Sequence, residues 1–521
     1  MLSLALALLL MRGIMVCCAM PPLEGWDEYQ HLGYIEFLND NARVPILGRD
    51  MVPPALCDAV RRRPQPAMAA EQFQAGNALS YTDFWEGRQV SAHTPTVSLY
   101  QAQHPPLYYA LMAPILRTVG LTDIPLAVAV LRLANLAMLM GAVAMVFLSL
   151  RRIVSSEVVL LSVLLLMAAN PMFLLSGLRV ANDAAAILLG AAGFYLALRA
   201  VESQRTAGLF FGAAGAGLVF GVGTWCKSTA LLSCLATAGV LLCGGLMHQW
   251  PWRRVAVCAL VLFGMVILVI GPLLVSNLQT YGVIFLTQEG LANSRRGVSL
   301  VDLAQATKQI PWKKWVERWW YRQALWRGGW SMLRPPNRLQ DAYSLLVRAV
   351  LVVGGVCAIT RLWRTRRTGS ESFAACVAVV VCVCTTIGLA WHAIQSQLAW
   401  SMVTTNPWYA ATGIPFFLLL FVVAARAVPW RHTVVVVTLI LAAIFTAAEL
   451  DGVLWRMPLA YGQTTPWRAM SRVATLQPAG FGVVTLFAAA SATLVLWIAA
   501  ASLLVVRARK AQLGTPQRRD E

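Results

Sequence analysis

Apolar stretches, each long enough to cross a bilayer as a helix, recur along this 521-residue chain and leave room for little else. About 20 apolar residues in helical form span a hydrocarbon core. Such stretches fall near 1–20, 118–150, 157–178, 184–200, 207–226, 229–247, 255–275, 343–361, 373–391, 408–428, 432–449 and 481–506. The second is long, and a separate helix is expected at 106–117. Only 12% of residues are charged, roughly half the share in a soluble domain. In lipid every backbone polar group must be satisfied internally, which favours helices. The expectation is an all-α polytopic membrane protein, a single integral domain over 1–521 with about twelve transmembrane helices. Arg12 interrupts the first stretch and no small-residue cleavage pattern is clear, so it reads as a retained anchor rather than a signal peptide.

Short basic connections set the orientation. Arg151-Arg152, Arg199 with Arg205, Arg253-Arg254, the run 361–367, Arg426 with Arg431, and Arg507 to Lys510 fall on alternate loops. The positive-inside rule makes these cytoplasmic, together with both termini. Two long loops, 21–105 and 276–342, then lie outside. The second is basic, with Arg295, Arg296, Lys308, Lys313 and Lys314, and rich in tryptophan: Trp312, Trp315, Trp319, Trp320, Trp326 and Trp330. Interfacial helices at headgroup level account for the tryptophans, and an anionic partner such as lipid phosphate accounts for the charge. Nucleic acid does not suit so tryptophan-rich a loop beside a bilayer. Ten of the eleven cysteines sit in or at the ends of spans, and Cys57 stands alone. There is no disulfide framework, zinc spacing, haem motif, glycine-rich phosphate loop or serine nucleophile elbow.

The chemistry concentrates just after the first span, in Pro21-Pro22-Leu23-Glu24-Gly25-Trp26-Asp27-Glu28-Tyr29-Gln30-His31. Asp27 and Glu28 are candidate catalytic carboxylates, Asp27 as a general base and Glu28 as an acceptor-orienting or cation-holding group. His31, four residues on, shares a helix face with Asp27. The competing reading is helix capping, since acids in a first turn complement the helix dipole. His104-Pro105-Pro106-Leu107-Tyr108-Tyr109 marks the return of the first loop to the membrane, with His104 and Tyr108 as candidate binding residues or members of an interfacial aromatic belt. Asn182 and Asp183 lie at an outside span end, where they can bind substrate hydroxyls or a metal, or cap the next helix. Lys227 sits at the next outside turn and suits a phosphate, with snorkelling as its alternative. Arg132 and Asn135, inside a span, are expected to face protein rather than lipid.

The order of these motifs resembles the GT-C glycosyltransferases: an acid pair in the first outside loop, a "HPPLYY" return, an outside "ND" two spans later and a "KS" beyond. It is similar to the branch of the protein O-mannosyltransferases, the lipid A aminoarabinose transferase and many bacterial membrane proteins. Residues 21–35 and 104–109 carry most of the likeness. Asn406-Pro407-Trp408-Tyr409 through Pro415 resembles a later "GRYxxP" segment, with Trp408 where the arginine stands, so no donor role passes to it. The resemblance implies an inverting transferase with a polyprenyl-phosphate sugar donor and a glycan, lipid or protein acceptor. It places the site on the extracytoplasmic side of a bacterial inner membrane. Asp27 would be the base, and His31, His104, Tyr108, Asn182, Asp183, Lys227, Arg295 and Arg296 the substrate-binding set. Some members of the class need a divalent metal and others do not; both remain open. The other reading is a transporter or flippase of lipid-linked saccharides, which would place charge along a path within the spans rather than at span ends. A non-catalytic scaffold finds no positive sign.

Overall fold

The apolar runs fold as helices, and among the described residues ten of them are long and apolar enough to cross a membrane. The computed structural model describes residues 1–65, 79–89, 96–317, 325, 333–365 and 370–513. Trp319, Trp320, Trp326 and Trp330 of the second long loop, and the side chains of the 361–367 run, lie outside the described residues. No strand forms among the described residues; two isolated bridges, Met51–Ser98 and Pro64–Leu79, tie the first loop to itself.

Two expected spans take a modified form, and the separate helix expected ahead of the second span is present. The run 229–247 folds as the shorter helix Ala230–Leu246. The helix expected at 106–117 forms as Leu107–Val119, ahead of Ile124–Ile153. The run 157–178 is broken into Glu157–Ala169 and Pro171–Leu178, bent by 57°. Pro171 has no N–H to continue the first helix, and the Asn170 side chain accepts from Phe173 N at 2.8 Å to start the second. This break carries the chain to Arg179 at the end of the bundle.

Close approach between spans rests on small residues. A Cβ on Gly217 would collide with the carbonyl oxygen of Leu262, so glycine lets Thr206–Cys226 lie against Trp252–Tyr281. The first helix, Leu2–Ala19, is packed into the bundle with Leu8, Leu9, Met15 and Val16 buried. Its Arg12 meets Glu449 of Thr433–Asp451 in a two-pronged ion pair, Nε at 2.5 Å and Nη2 at 2.6 Å, and also donates to the carbonyl of Ala168.

The two ends of the bundle differ in chemistry. At one end the basic connections meet: Arg152 pairs with Glu202, Arg507 with Glu157 at 3.0 Å, and Arg426 with Glu371 at 3.3 Å. At the other end the first loop packs a small core of its own, with Leu23, Leu32, Val52, Leu56, Leu99 and Tyr108 buried together. It docks on the last loop at this end, where Trp85 Nε1 donates to Tyr461 O at 2.6 Å. The second long loop joins it through Gln288 N to Gln103 Oε1 at 3.1 Å, and leans on the helix Ser370–Trp400 through Asn293 to Gln395 Oε1 at 2.9 Å.

Candidate active site

Beyond the first span the chain turns sharply, and Asp27 adopts a left-handed backbone, φ +62°, immediately before the helix Glu28–Asn41. Aspartate is among the few side chains that tolerate this region. Asp27 stands at the N-cap but its side chain caps nothing. Its carboxylate is held instead by Tyr100, whose hydroxyl donates to Oδ1 at 2.5 Å, and by Gln101, whose Nε2 donates to Oδ2 at 2.9 Å. Both belong to the 3₁₀ turn Tyr100–Gln103, which is pinned by Leu99 N to Asp50 O at 3.1 Å. Asp27 is half-buried. Burial pushes its pKa up to about 6, against the opposing pull of the Tyr100 hydrogen bond, Arg179 and Lys227.

Glu28 has a different environment. It is fully buried, and Arg132 grips it from 104 residues away with Nε at 2.8 Å and Nη2 at 2.7 Å. Val180 N and Gly25 N, each at 3.0 Å, occupy its remaining positions. Arg132 also donates to the carbonyls of Met20 and Pro21. Glu28 thus fastens the first loop to the span Ile124–Ile153 through Arg132 and to the 179–182 turn through Val180.

The cationic part of the site comes from two span ends. Asp183 opens the helix Asp183–Glu202 and bridges two cations, accepting from Arg179 Nη2 at 2.5 Å and from Lys227 Nζ at 2.6 Å. Arg179 also donates to the Trp26 carbonyl at 2.6 Å, one residue before Asp27. Its guanidinium lies 4.6 Å over the Trp408 ring, while Lys227 Nζ lies 5.7 Å from the Tyr409 centroid. Trp408 in turn lies 5.2 Å from Trp26. Among the described residues Arg179 Nε has no hydrogen-bond partner although it is buried. Burial pushes the Lys227 pKa down, with Asp183 pulling it back. A third wall pairs Glu289 of the second loop with His392 at 3.8 Å, and His392 lies 4.7 Å from Tyr409.

The remaining expected site residues fall in several places. His104 is part-exposed and stacks 6.2 Å from His31, and burial with nearby Lys227 and Arg179 holds its pKa well below the usual histidine range. His31 is buried behind it with Nδ1 2.9 Å from the Tyr109 hydroxyl. Tyr108 is also buried, donating to Asn135 Oδ1 at 3.1 Å. Asn182 stands at an N-cap without capping; its Nδ2 holds the Cys226 carbonyl at 3.0 Å and so fixes the turn that presents Lys227. Arg295 and Arg296 are exposed at the end of the helix Gln288–Arg296, where Arg296 reaches Leu398 O at 3.1 Å. Among the described residues the cations acting on Asp27 are Arg179 and Lys227, and no hydrogen bond joins Arg295 or Arg296 to them. Tyr100, Gln101, Arg179, Tyr409, Glu289 and His392 were not picked out as site residues from the sequence. A basic residue at an outside span end is the signal that could have found Arg179.

The donor set does not suit a divalent cation. Asp183 is committed to Arg179 and Lys227, and Asp27 to Tyr100 and Gln101. Among the described residues no group of three or more His, Cys, Asp or Glu side chains is placed to hold a metal.

Fold and site together define a polytopic helical protein with a carboxylate and two cations at one end of the bundle. Residues 103–269 match the family described as dolichyl-phosphate-mannose-protein mannosyltransferase. That match covers part of the chain and agrees with the likeness read from the sequence. No curated protein sequence matches the chain. Solved structures with similarity to it include the Archaeoglobus fulgidus oligosaccharyltransferase in its apo form, at 12% identity and TM-score 0.47, covering 96% of this chain and 56% of that one. ArnT from Cupriavidus metallidurans bound to undecaprenyl phosphate aligns at 16% identity and TM-score 0.41, over 88% of this chain and 74% of that one. The Archaeoglobus AglB complex with an inhibitory peptide and a dolichol-phosphate aligns at 13% identity and TM-score 0.42, over 90% and 56%. The chain thus spans little more than half the length of the archaeal enzyme.

Proposed function

We propose that the chain is an inverting glycosyltransferase that moves a sugar from a polyprenyl-phosphate donor to an acceptor hydroxyl, at the extracytoplasmic face of a bacterial inner membrane. The observation that carries this reading is the half-buried Asp27 set beside the Arg179–Asp183–Lys227 cluster. A carboxylate with a pKa near 6 is ionised at neutral pH and basic enough to take a proton in a transition state. As the acceptor oxygen attacks the anomeric carbon, its proton passes to Asp27. The bond from that carbon to the phosphate oxygen breaks, and its electron pair leaves with the polyprenyl phosphate. Arg179 and Lys227 stabilise the developing charge, the unpartnered Arg179 Nε supplying a ready donor. The part-exposed Trp26, backed by the buried Trp408, offers an aromatic surface to the sugar ring. Attack opposite the leaving group inverts the centre. A lipid-linked donor also fits a chain with no nucleotide-binding loop.

The test is Asp27→Asn in purified protein with a polyprenyl-phosphate sugar. Asparagine tolerates the same backbone conformation and keeps the shape. Transfer is expected to fall by about 100-fold or more with the loss of the base, while expression and melting temperature hold. Full activity in this variant would overturn the assignment.

A further inference from the structure

A cleft of about 320 Å³ opens beside the site, between the first loop and the end of the helix Trp252–Tyr281. Gln103, His104, Trp225 and Ser228 form its near wall, with Ser276, Asn277, Thr280 and Tyr281 opposite. No Asp, Glu, Lys or Arg lines it among the described residues. That is the reverse of the neighbouring Arg179–Asp183–Lys227 cluster, where every group is charged. The two regions are contiguous: Ser228 follows Lys227 in the chain, and His104 borders the cleft while feeling the charges of Lys227 and Arg179. Gln103 and His104 in turn follow directly on Tyr100 and Gln101, which hold Asp27.

We propose that this cleft is the acceptor subsite and that it takes a neutral saccharide. The inference rests on the transferase reading above and names its acceptor class. Apolar side chains, Leu273, Leu274, Phe285 and Leu286 among them, make up much of the lining, and the polar groups set among them are uncharged hydroxyls, amides and an imidazole that match sugar hydroxyls in donors and acceptors alike. Trp225 supplies a fixed aromatic plane, its Nε1 tied to the Val269 carbonyl at 2.9 Å. Tyr281 is held in register because its hydroxyl accepts from Leu47 N at 3.0 Å, and Asn277 because its Nδ2 donates to Ile284 O at 3.1 Å. A phosphorylated or carboxylated acceptor would find no counter-charge here, and a cationic one no carboxylate.

The test measures binding, so that it stands apart from catalysis. Full-length protein in nanodiscs is titrated with mannotetraose, maltotetraose and chitotetraose, with undecaprenyl phosphate, and with a serine- and threonine-rich hexapeptide. A further arm dopes the nanodisc with a neutral glycosyl diacylglycerol to tell a membrane-borne sugar from a free one. At least one neutral saccharide is expected to bind the wild type. Thr280→Trp, on an exposed helix surface, should abolish that binding by filling the cleft and leave undecaprenyl phosphate affinity unchanged. Asn277→Ala should weaken saccharide binding by about three- to tenfold, the worth of one hydrogen bond. Saccharide binding that survives Thr280→Trp, or binding of the hexapeptide in preference to every saccharide, would overturn the proposal. Failure of undecaprenyl phosphate to bind the wild type would count against the transferase reading instead, and is read in its own arm.

Discussion

Asp27 and Glu28 are chemically almost the same, adjacent in sequence, and opposite in what surrounds them. Glu28 faces inward to a guanidinium and two backbone N–H groups, so its charge is paired on every side. Asp27 is half-buried and is held by two neutral donors. Its raised pKa fixes the sign of the pH response. Below pH 6 the carboxyl is protonated and cannot accept a second proton, so kcat/KM should fall about tenfold per unit of pH below 6 and level off above it. Because Arg179 and Lys227 pull this pKa down, Lys227→Met should move the acid limb upward. The same shift bears on stability. A carboxyl whose folded pKa exceeds its unfolded value favours folding at low pH and loses that contribution as pH rises through 6. Asp27→Asn should therefore melt no lower than wild type at pH 7.5. Glu28→Gln has the opposite character. It leaves Arg132 buried without a full counter-charge, at a cost of about 3–5 kcal/mol. The double variant Glu28→Gln/Arg132→Met should recover much of that loss in thermal melts; no recovery would mean that the pair is not what fastens the loop.

At the scale of elements, span-length helices were legible in the sequence because a bilayer imposes length and hydropathy directly on the chain. The break at Asn170-Pro171 was written there too, as a cap residue followed by proline, although the apolar run conceals it. The site was legible only in part. Asp27, Asp183 and Lys227 each announce themselves as charges at the ends of apolar runs. Their union with Arg179, Trp408 and Tyr409 does not, because those residues come from separate elements and only packing brings them together. The division of labour between Asp27 and Glu28 was hidden for the same reason, since it depends on Arg132, 104 residues away. Pro171 offers a test at this scale. Pro171→Ala restores an N–H and lets the broken span straighten, which displaces Arg179 from Asp183 and Trp26. The donor KM should rise by roughly tenfold or more, as expected for a misplaced binding group, with little change in expression. An unchanged donor KM would show that the bend does not set the position of Arg179.

For the whole molecule the question is which face of the membrane holds the site. The structure gathers the basic connections at one end and both long loops at the other. Asp27, Arg179, Lys227 and Glu289 all belong to the second end. The net charge of +19 is not spread evenly: Arg151, Arg152, Arg205, Arg253, Arg254, Arg426, Arg431 and Arg507 all sit on the short connections. Charge on such short connections resists translocation, so that end should remain cytoplasmic, whereas long loops cross largely regardless of charge. The basic residues of 288–314 are therefore no obstacle to an outside position. Two introduced cysteines decide the matter. Val301 is 65% exposed in the second long loop, and Gln204 is exposed at the basic end. In intact spheroplasts a membrane-impermeant maleimide should label Val301→Cys and spare Gln204→Cys, which should react only after lysis. The unsubstituted protein, with its own free cysteines buried or partly buried, sets the background. Labelling of Gln204→Cys in intact cells would turn the protein over in the membrane, put the Asp27 site in the cytoplasm, and leave a donor facing outward with no access to it.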